Sequence, residues 1–129
     1  MPRILVVEDN AINRELLCDW LEAQGYAVHS AEDLGGAQRL LQGEQLDAVL
    51  LDVQLGNEDG LSLAMWMRQQ PDFSSTPVIA VTAHAMVTEM QRFLQSGCNA
   101  YVSKPIDFKL LSRELEKWLV PLREFPSRV

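Results

Sequence analysis

The chain has 129 residues, 47% hydrophobic and 22% charged, enough for one domain with a full core, which excludes a disordered segment. A net charge of −7 and a pI near 4.7 argue against a broad electrostatic nucleic-acid surface. The longest run without a charged residue, Phe73 to Thr88, carries Pro77, His84 and several hydroxyls, so no membrane insertion is expected.

The predicted elements alternate strand and helix five times. Ile4-Leu5-Val6-Val7 forms a strand over about residues 3–7 and runs into Glu8-Asp9. Asn10 is the expected N-cap of a helix near 11–24, whose Ile12, Leu16, Leu17, Trp20 and Leu21 form one apolar stripe before Gly25 stops it. A weaker second strand covers Ala27–Ser30, followed by a helix from Asp33 to Gln42 that Gly43 ends. The third strand, Ala48–Leu51, is apolar throughout, as a strand covered on both faces should be, and it runs into Asp52.

The third helix begins near Gly60 and ends before Pro71, with Leu61, Ala64, Met65 and Arg68 as its buried stripe and Trp66 the candidate for exposure. The fourth strand, Val78–Val81, leads into Thr82, and the fourth helix spans Val87–Gln95 before Gly97. Tyr101-Val102-Ser103 is the fifth strand and runs into Lys104-Pro105, an X-Pro bond that in its cis form would aim the lysine inward. The last helix covers Phe108–Leu119, with Trp118 and Leu119 closing it onto the sheet and Pro121 stopping it. Cys18 and Cys98 lack CxxC spacing and read as reduced thiols, and with no signal peptide expected the segment reads as cytoplasmic.

Short connections between alternating strands and helices imply parallel strands joined by right-handed crossovers. The fold class is therefore α/β: a three-layer sandwich, flavodoxin-like (βα)5, with a five-stranded parallel sheet in the order 2-1-3-4-5. Residues 1–120 form the domain, and 121–129 a C-terminal tail or linker. Residues 1–103 carry five basic against fourteen acidic side chains, and the rest six against four, so the acidic excess lies in the body of the domain.

In such a sheet the carboxyl ends of the strands gather in one crevice. Glu8, Asp9, Asp52, Thr82 and Lys104 each follow an apolar strand and would meet there. Clustered carboxylates repel, about 3 kcal/mol per pair at 5 Å and an effective dielectric of 20, and so need shifted protonation or a cation. Oxygen donors select a hard ion such as Mg2+. Asp52 is the candidate nucleophile toward phosphorus, the Thr82 hydroxyl a donor to a phosphoryl oxygen, and Lys104 a source of positive charge.

Val7-Glu8-Asp9-Asn10, Leu51-Asp52-Val53-Gln54-Leu55, Asp59-Gly60, Val81-Thr82-Ala83 and Tyr101-Val102-Ser103-Lys104-Pro105 occur in this order over about residues 3–119. With them the chain resembles the receiver domain of a two-component response regulator. Asn13-Arg14 after Glu8-Asp9-Asn10, and Ile106-Asp107 after Pro105, are similar to receivers attached to hybrid histidine kinases, a parent that could itself be membrane-anchored. The resemblance implies that Asp52 accepts a phosphoryl group from a histidine kinase or histidine phosphotransfer protein. It implies Mg2+ held by Asp9, Asp52 and the backbone carbonyl of Gln54, with Glu8 acting through water. Thr82 and Tyr101 would be a switch pair, Ala83 and Lys104 would bind the phosphoryl group, and the face of the fourth helix, fifth strand and fifth helix would be remodelled for an effector domain or target protein. Gln54 and His84 would border the hydrolytic water and tune dephosphorylation.

One departure stands out. Receivers usually carry proline four residues after the acceptor, where this chain has Gly56; glycine should loosen the segment from Leu55 to Asp59. The module would be no enzyme beyond assisting its own phosphorylation and dephosphorylation. Two alternatives are a degenerate receiver that binds a partner without phosphorylation and a Mg2+-dependent aspartyl-phosphate hydrolase. Many such hydrolases carry a second Asp two residues after the nucleophile, where this chain has Gln54.

Overall fold

Five strands hydrogen-bond into one parallel sheet: β1 (Arg3–Val7), β2 (Ala27–Ala31), β3 (Ala48–Asp52), β6 (Val78–Thr82) and β7 (Ala100–Ser103), in the order β2-β1-β3-β6-β7. Two further short strands, β4 (Gln54–Leu55) and β5 (Glu58–Asp59), pair antiparallel outside it. Numbered within the sheet alone, the order is the expected 2-1-3-4-5. The computed structural model describes residues 1–83 and 87–124. Helices α1 (Ala11–Ala23), α2 (Leu34–Gly43), α3 (Leu61–Arg68) and α4 (Val87–Gln95) follow successive strands of the sheet, and α5 (Phe108–Glu124) follows β7.

Alternation along each strand divides the core. Leu5, Val7, Val49, Leu51 and Ala80 face Ala37, Leu41, Leu61, Leu63, Ala64, Met67 and Phe93 of α2, α3 and α4. Ile4, Val6, Leu50 and Ile79 face Leu17 and Leu21 of α1 and Leu111, Leu115 and Leu119 of α5. Each fully buried aliphatic side chain contributes about 1.5–3 kcal/mol, so both layers of helices are held to the sheet along its length.

Local signals set the helix starts. The Asn10 side chain accepts from the Asn13 amide at 3.0 Å, and that of Asp33 from the Gly36 amide at 2.8 Å. Gly25, at φ +95°, ends α1 in the left-handed region.

Three readings are corrected, and two small features are added. The α1 stripe splits: Leu17 and Leu21 are buried, but Ile12 is 77% and Leu16 57% exposed. Leu16 instead lines a groove with Pro105, Ile106 and Phe108. On α3 the buried residues are Leu61, Leu63, Ala64 and Met67, while Met65 is exposed and Trp66 is half-buried against Phe73, ring centroids 5.2 Å apart. Gly60 sets that phase: a Cβ there would overlap the Asp52 carbonyl oxygen, so the helix starts hard against the end of β3.

Next, α5 runs through Pro121 to Glu124. Proline removes one donor and ordinarily interrupts a helix, but Leu111, Leu115 and Leu119 already hold α5 on the sheet, so the defect falls in its last turn. Finally, the β4–β5 ribbon and a 3-10 turn at Pro71–Phe73 carried no period long enough to be read.

At the amino ends of the strands, Arg68 ties two connections together, the one from α3 to β6 and the one from α4 to β7. Its guanidinium donates to Ser74 O (3.0 Å), Thr76 O (2.8 Å), Gly97 O (2.7 and 3.0 Å) and Asn99 Oδ1 (2.8 Å). Asn99 Oδ1 also accepts from the Val78 amide at 2.8 Å, at the start of β6. Glu8, Asp52, Thr82 and Lys104 lie at the opposite end of the strands.

Candidate functional site

β1, β3, β6 and β7 end side by side, and the residues that terminate them converge on a crevice of about 740 Å³. Its lining includes Glu8, Asp9, Asp52, Gln54, Thr82, Ala83 and Lys104. The registers explain the convergence: Val7 lies beside Leu51, Asp52 beside Val81, and Thr82 beside Ser103. One residue past each pairing the side chains reach the crevice.

Glu8, Asp52 and Thr82 are the three buried polar or charged residues among the described core, at 2%, 5% and 5% exposure. Lys104 Nζ donates to Asp52 Oδ2 at 2.9 Å and to Glu8 Oε1 at 3.3 Å. The Gln54 amide donates to Asp52 Oδ1 at 3.0 Å. Asp9 is exposed, and one oxygen each of Glu8, Asp9 and Asp52 lie within 4.8 Å of one another. The Lys104–Pro105 bond is cis.

The electrostatics follow from this crowding. Burial, then the hydrogen bond with Asp52 and its charge, raise the Glu8 carboxyl to about 7, against the opposing pull of the Asn10 amide and Lys104. Burial alone would lower the Lys104 pKa, but the hydrogen bond and charge of Asp52, with Glu8, outweigh it and raise the group above an ordinary lysine. One acid is thus poised to hold a proton near neutrality while the ammonium stays charged.

The donor set fits a hard divalent cation. It is all oxygen, and its spread is close to the roughly 4.1 Å between opposite ligands of a Mg2+ octahedron, so a small adjustment or a bridging water completes the fit. What the arrangement can do is hold an oxyanion-bearing group against a carboxylate, between a cation and an ammonium.

Arg14 braces the acidic loop, donating to Glu8 O at 2.8 Å and to Asp9 O at 3.5 Å. Gly56 sits at φ +59°, first of two residues joining β4 to β5. A proline cannot take that conformation, so the glycine builds a two-residue turn. Tyr101 is half-buried, its ring 6.3 Å from that of Phe93. His84 lies outside the described residues.

Two contributors went unread in the sequence. Arg92 of α4 donates to Asp59 Oδ2 at 2.6 Å across the crevice mouth, and Glu58 Oε1 accepts from the Leu34 amide at the start of α2 at 3.1 Å. Neither pairing has a local pattern, since the partners are 33 and 24 residues apart.

Comparison with known proteins gives consistent similarities. The response regulator receiver domain family matches residues 4–116. The polar-differentiation response regulator DivK of Brucella anthropi is 36% identical over 120 residues, covering 92% of this chain and 98% of the relative. The receiver domain of a sensor histidine kinase from Pseudomonas aeruginosa PAO1, solved with a magnesium ion in its active-site cleft, superposes with a TM-score of 0.83 at 35% identity, over 92% and 97% of the two chains. The signal receiver domain of a histidine kinase from Syntrophus aciditrophicus gives a TM-score of 0.86 at 28% identity, over 95% and 93%.

Proposed function

The chain belongs to the response regulator receiver domain family, and on that premise we propose that Asp52 accepts a phosphoryl group from a phosphohistidine on a histidine kinase or histidine phosphotransfer protein. The observation that carries the reading is the buried carboxylate of Asp52 held 2.9 Å from Lys104 within an oxygen-donor cluster. A carboxylate oxygen of Asp52 bonds to phosphorus as the P–N bond breaks, and that electron pair leaves with the imidazole nitrogen.

Asp9, Asp52, the Gln54 backbone carbonyl and, through water, Glu8 would hold Mg2+. When bound, the ion neutralises charge on the phosphoryl oxygens. Lys104 exchanges its hold on Asp52 for a phosphoryl oxygen, and Thr82 and Ala83 donate from the end of β6. Thr82 and Tyr101 form the switch pair that alters the α4–β7–α5 face toward an effector domain or target protein. Gln54 and His84 set the rate of hydrolysis, so the module assists its own phosphorylation and dephosphorylation. Substituting either and timing loss of the phosphoryl group tests this; unchanged lifetimes would reject it.

Beside the crevice, exposed Ile12 and Leu16 offer a phosphodonor protein an apolar footing. Residues 1–120 are taken as the receiver, with 121–129 a tail or linker whose first residues prolong α5. A hybrid histidine kinase is one parent of such a segment. Among the described residues no helix is long and apolar enough to cross a membrane.

The test is intact mass after incubation with Mg2+ and acetyl phosphate or phosphoramidate. One phosphoryl adduct is expected on the native chain, none on Asp52→Asn, and none with EDTA. No adduct on a chain shown to bind Mg2+ would leave a phosphorylation-independent partner-binding domain.

A further inference from the structure

We infer that Arg92 is a positioning residue for the acceptor site: through Asp59 it holds the β4–β5 ribbon, and with it Gln54, in the geometry that binds the metal. The inference rests on the Mg2+-dependent receiver reading above.

The contact chain is short. Arg92 donates to Asp59 Oδ2 at 2.6 Å, while Asp59 Oδ1 accepts from the Leu61 amide at 3.0 Å. One carboxylate therefore bridges α4 and the first turn of α3. In the ribbon Asp59 lies opposite Gln54, and the Gln54 amide donates to Asp52 Oδ1. A displacement of Asp59 is passed to Gln54, and from there to the acceptor carboxylate.

The ribbon needs such a hold. Its strands are two residues each, and it turns at Gly56, the residue type with the most conformational freedom to lose. Buried Leu55 anchors it from below, Glu58 ties one side to α2, and Arg92 ties the other to α4. Arg92 also meets Glu89 on its own helix at 3.5 Å, which orients the guanidinium without reaching the ribbon.

The sign of the effect separates positioning from simple charge. Arg92 and Asp59 are each about half exposed, 49% and 48% at the side chain. As a mere cation at the mouth of an acidic crevice, Arg92 would repel Mg2+, and its removal would tighten binding. As a positioning residue, its removal weakens binding, by about two- to fivefold for a half-exposed pair.

Calorimetric titration of the metal-free protein with Mg2+ decides this, alongside thermal melts and the acetyl phosphate mass assay. Arg92→Ala and Arg92→Gln should raise the dissociation constant two- to fivefold with little change in melting. Arg92→Lys should restore most of the affinity. In an Asp59→Asn background, Arg92→Ala should add nothing. Unchanged or tighter binding in Arg92→Ala, failure of lysine to restore it, or a full extra loss on top of Asp59→Asn would each overturn the inference. If the native chain neither binds Mg2+ nor takes the phosphoryl group, the receiver reading falls and this inference with it. If it does both and Arg92→Ala behaves identically, only the positioning role falls.

Discussion

Lys104 Nζ lies 2.9 Å from Asp52 Oδ2, although 52 residues separate the two in the chain. The lysine is more exposed than its partner, 28% against 7% at the side chain, so its ammonium can turn outward while the carboxylate stays enclosed. Without metal the pair, with Glu8, neutralises part of a buried acidic cluster. The proximity that stabilises the resting site also places the ammonium within reach of a group bonded to Asp52.

Replacing Lys104 by Met should therefore destabilise the metal-free protein by about 1–2 kcal/mol at pH 8, because two buried carboxyls lose their counter-charge. Near pH 5, where Glu8 is protonated, the loss should shrink. Urea unfolding in EDTA at both pH values measures it; equal losses would mean packing, not charge, is what the lysine supplies.

Glu8 makes the metal-free fold acid-stabilised over a defined window. Its folded value of about 7 exceeds the ordinary 4.5, so the folded state binds the extra proton between these values. Stability from this group is fully present below 4.5 and is lost as pH rises toward 7, by about 1.4 kcal/mol per unit at most. Glu8→Gln should flatten that slope in EDTA and exceed the native chain in stability at pH 7.5. An unchanged slope would assign it to other groups.

Arg68→Ala should cost about 2–3 kcal/mol, since the carbonyls of Ser74, Thr76 and Gly97 and the Asn99 side chain lose their donor together. The damage lies at the far end of the sheet. Mg2+ affinity of the folded fraction should stay within twofold, which titration below the melting range checks.

Two glycines should respond in opposite directions to alanine. At Gly60 the new methyl meets the Asp52 backbone, which must shift, so stability should fall by more than about 2 kcal/mol and the phosphoryl adduct should form slowly. At Gly43, exposed at the end of α2 with nothing within 4 Å of the added carbon, alanine should stabilise by about 0.5–1 kcal/mol. Thermal melts and the mass assay report both.

Most of the site was legible because parallel strands covered on both faces read as uninterrupted apolar runs, so the polar residue ending each run stands out. Glu8, Asp52, Thr82 and Lys104 were found that way. The phase of α1 and α3 was not, because a stripe of apolar residues does not say which part of it the sheet covers. Leu16 lines the Pro105–Phe108 groove and Ile12 is exposed, neither lying under the sheet, and α3 is rotated by the close approach of Gly60 to β3. The Arg92–Asp59 contact was invisible for a different reason: a single long-range ion pair leaves no period.

The alternation along β3 has a mechanical reading. Leu50 and Leu51 are adjacent in sequence, yet one packs with α1 and α5 and the other with α2, α3 and α4. The sheet is a bulkhead between two compartments, and its carboxyl edge is a rim that both share. The Asp52 carboxylate sits on that rim, where a single event can be felt on both sides at once.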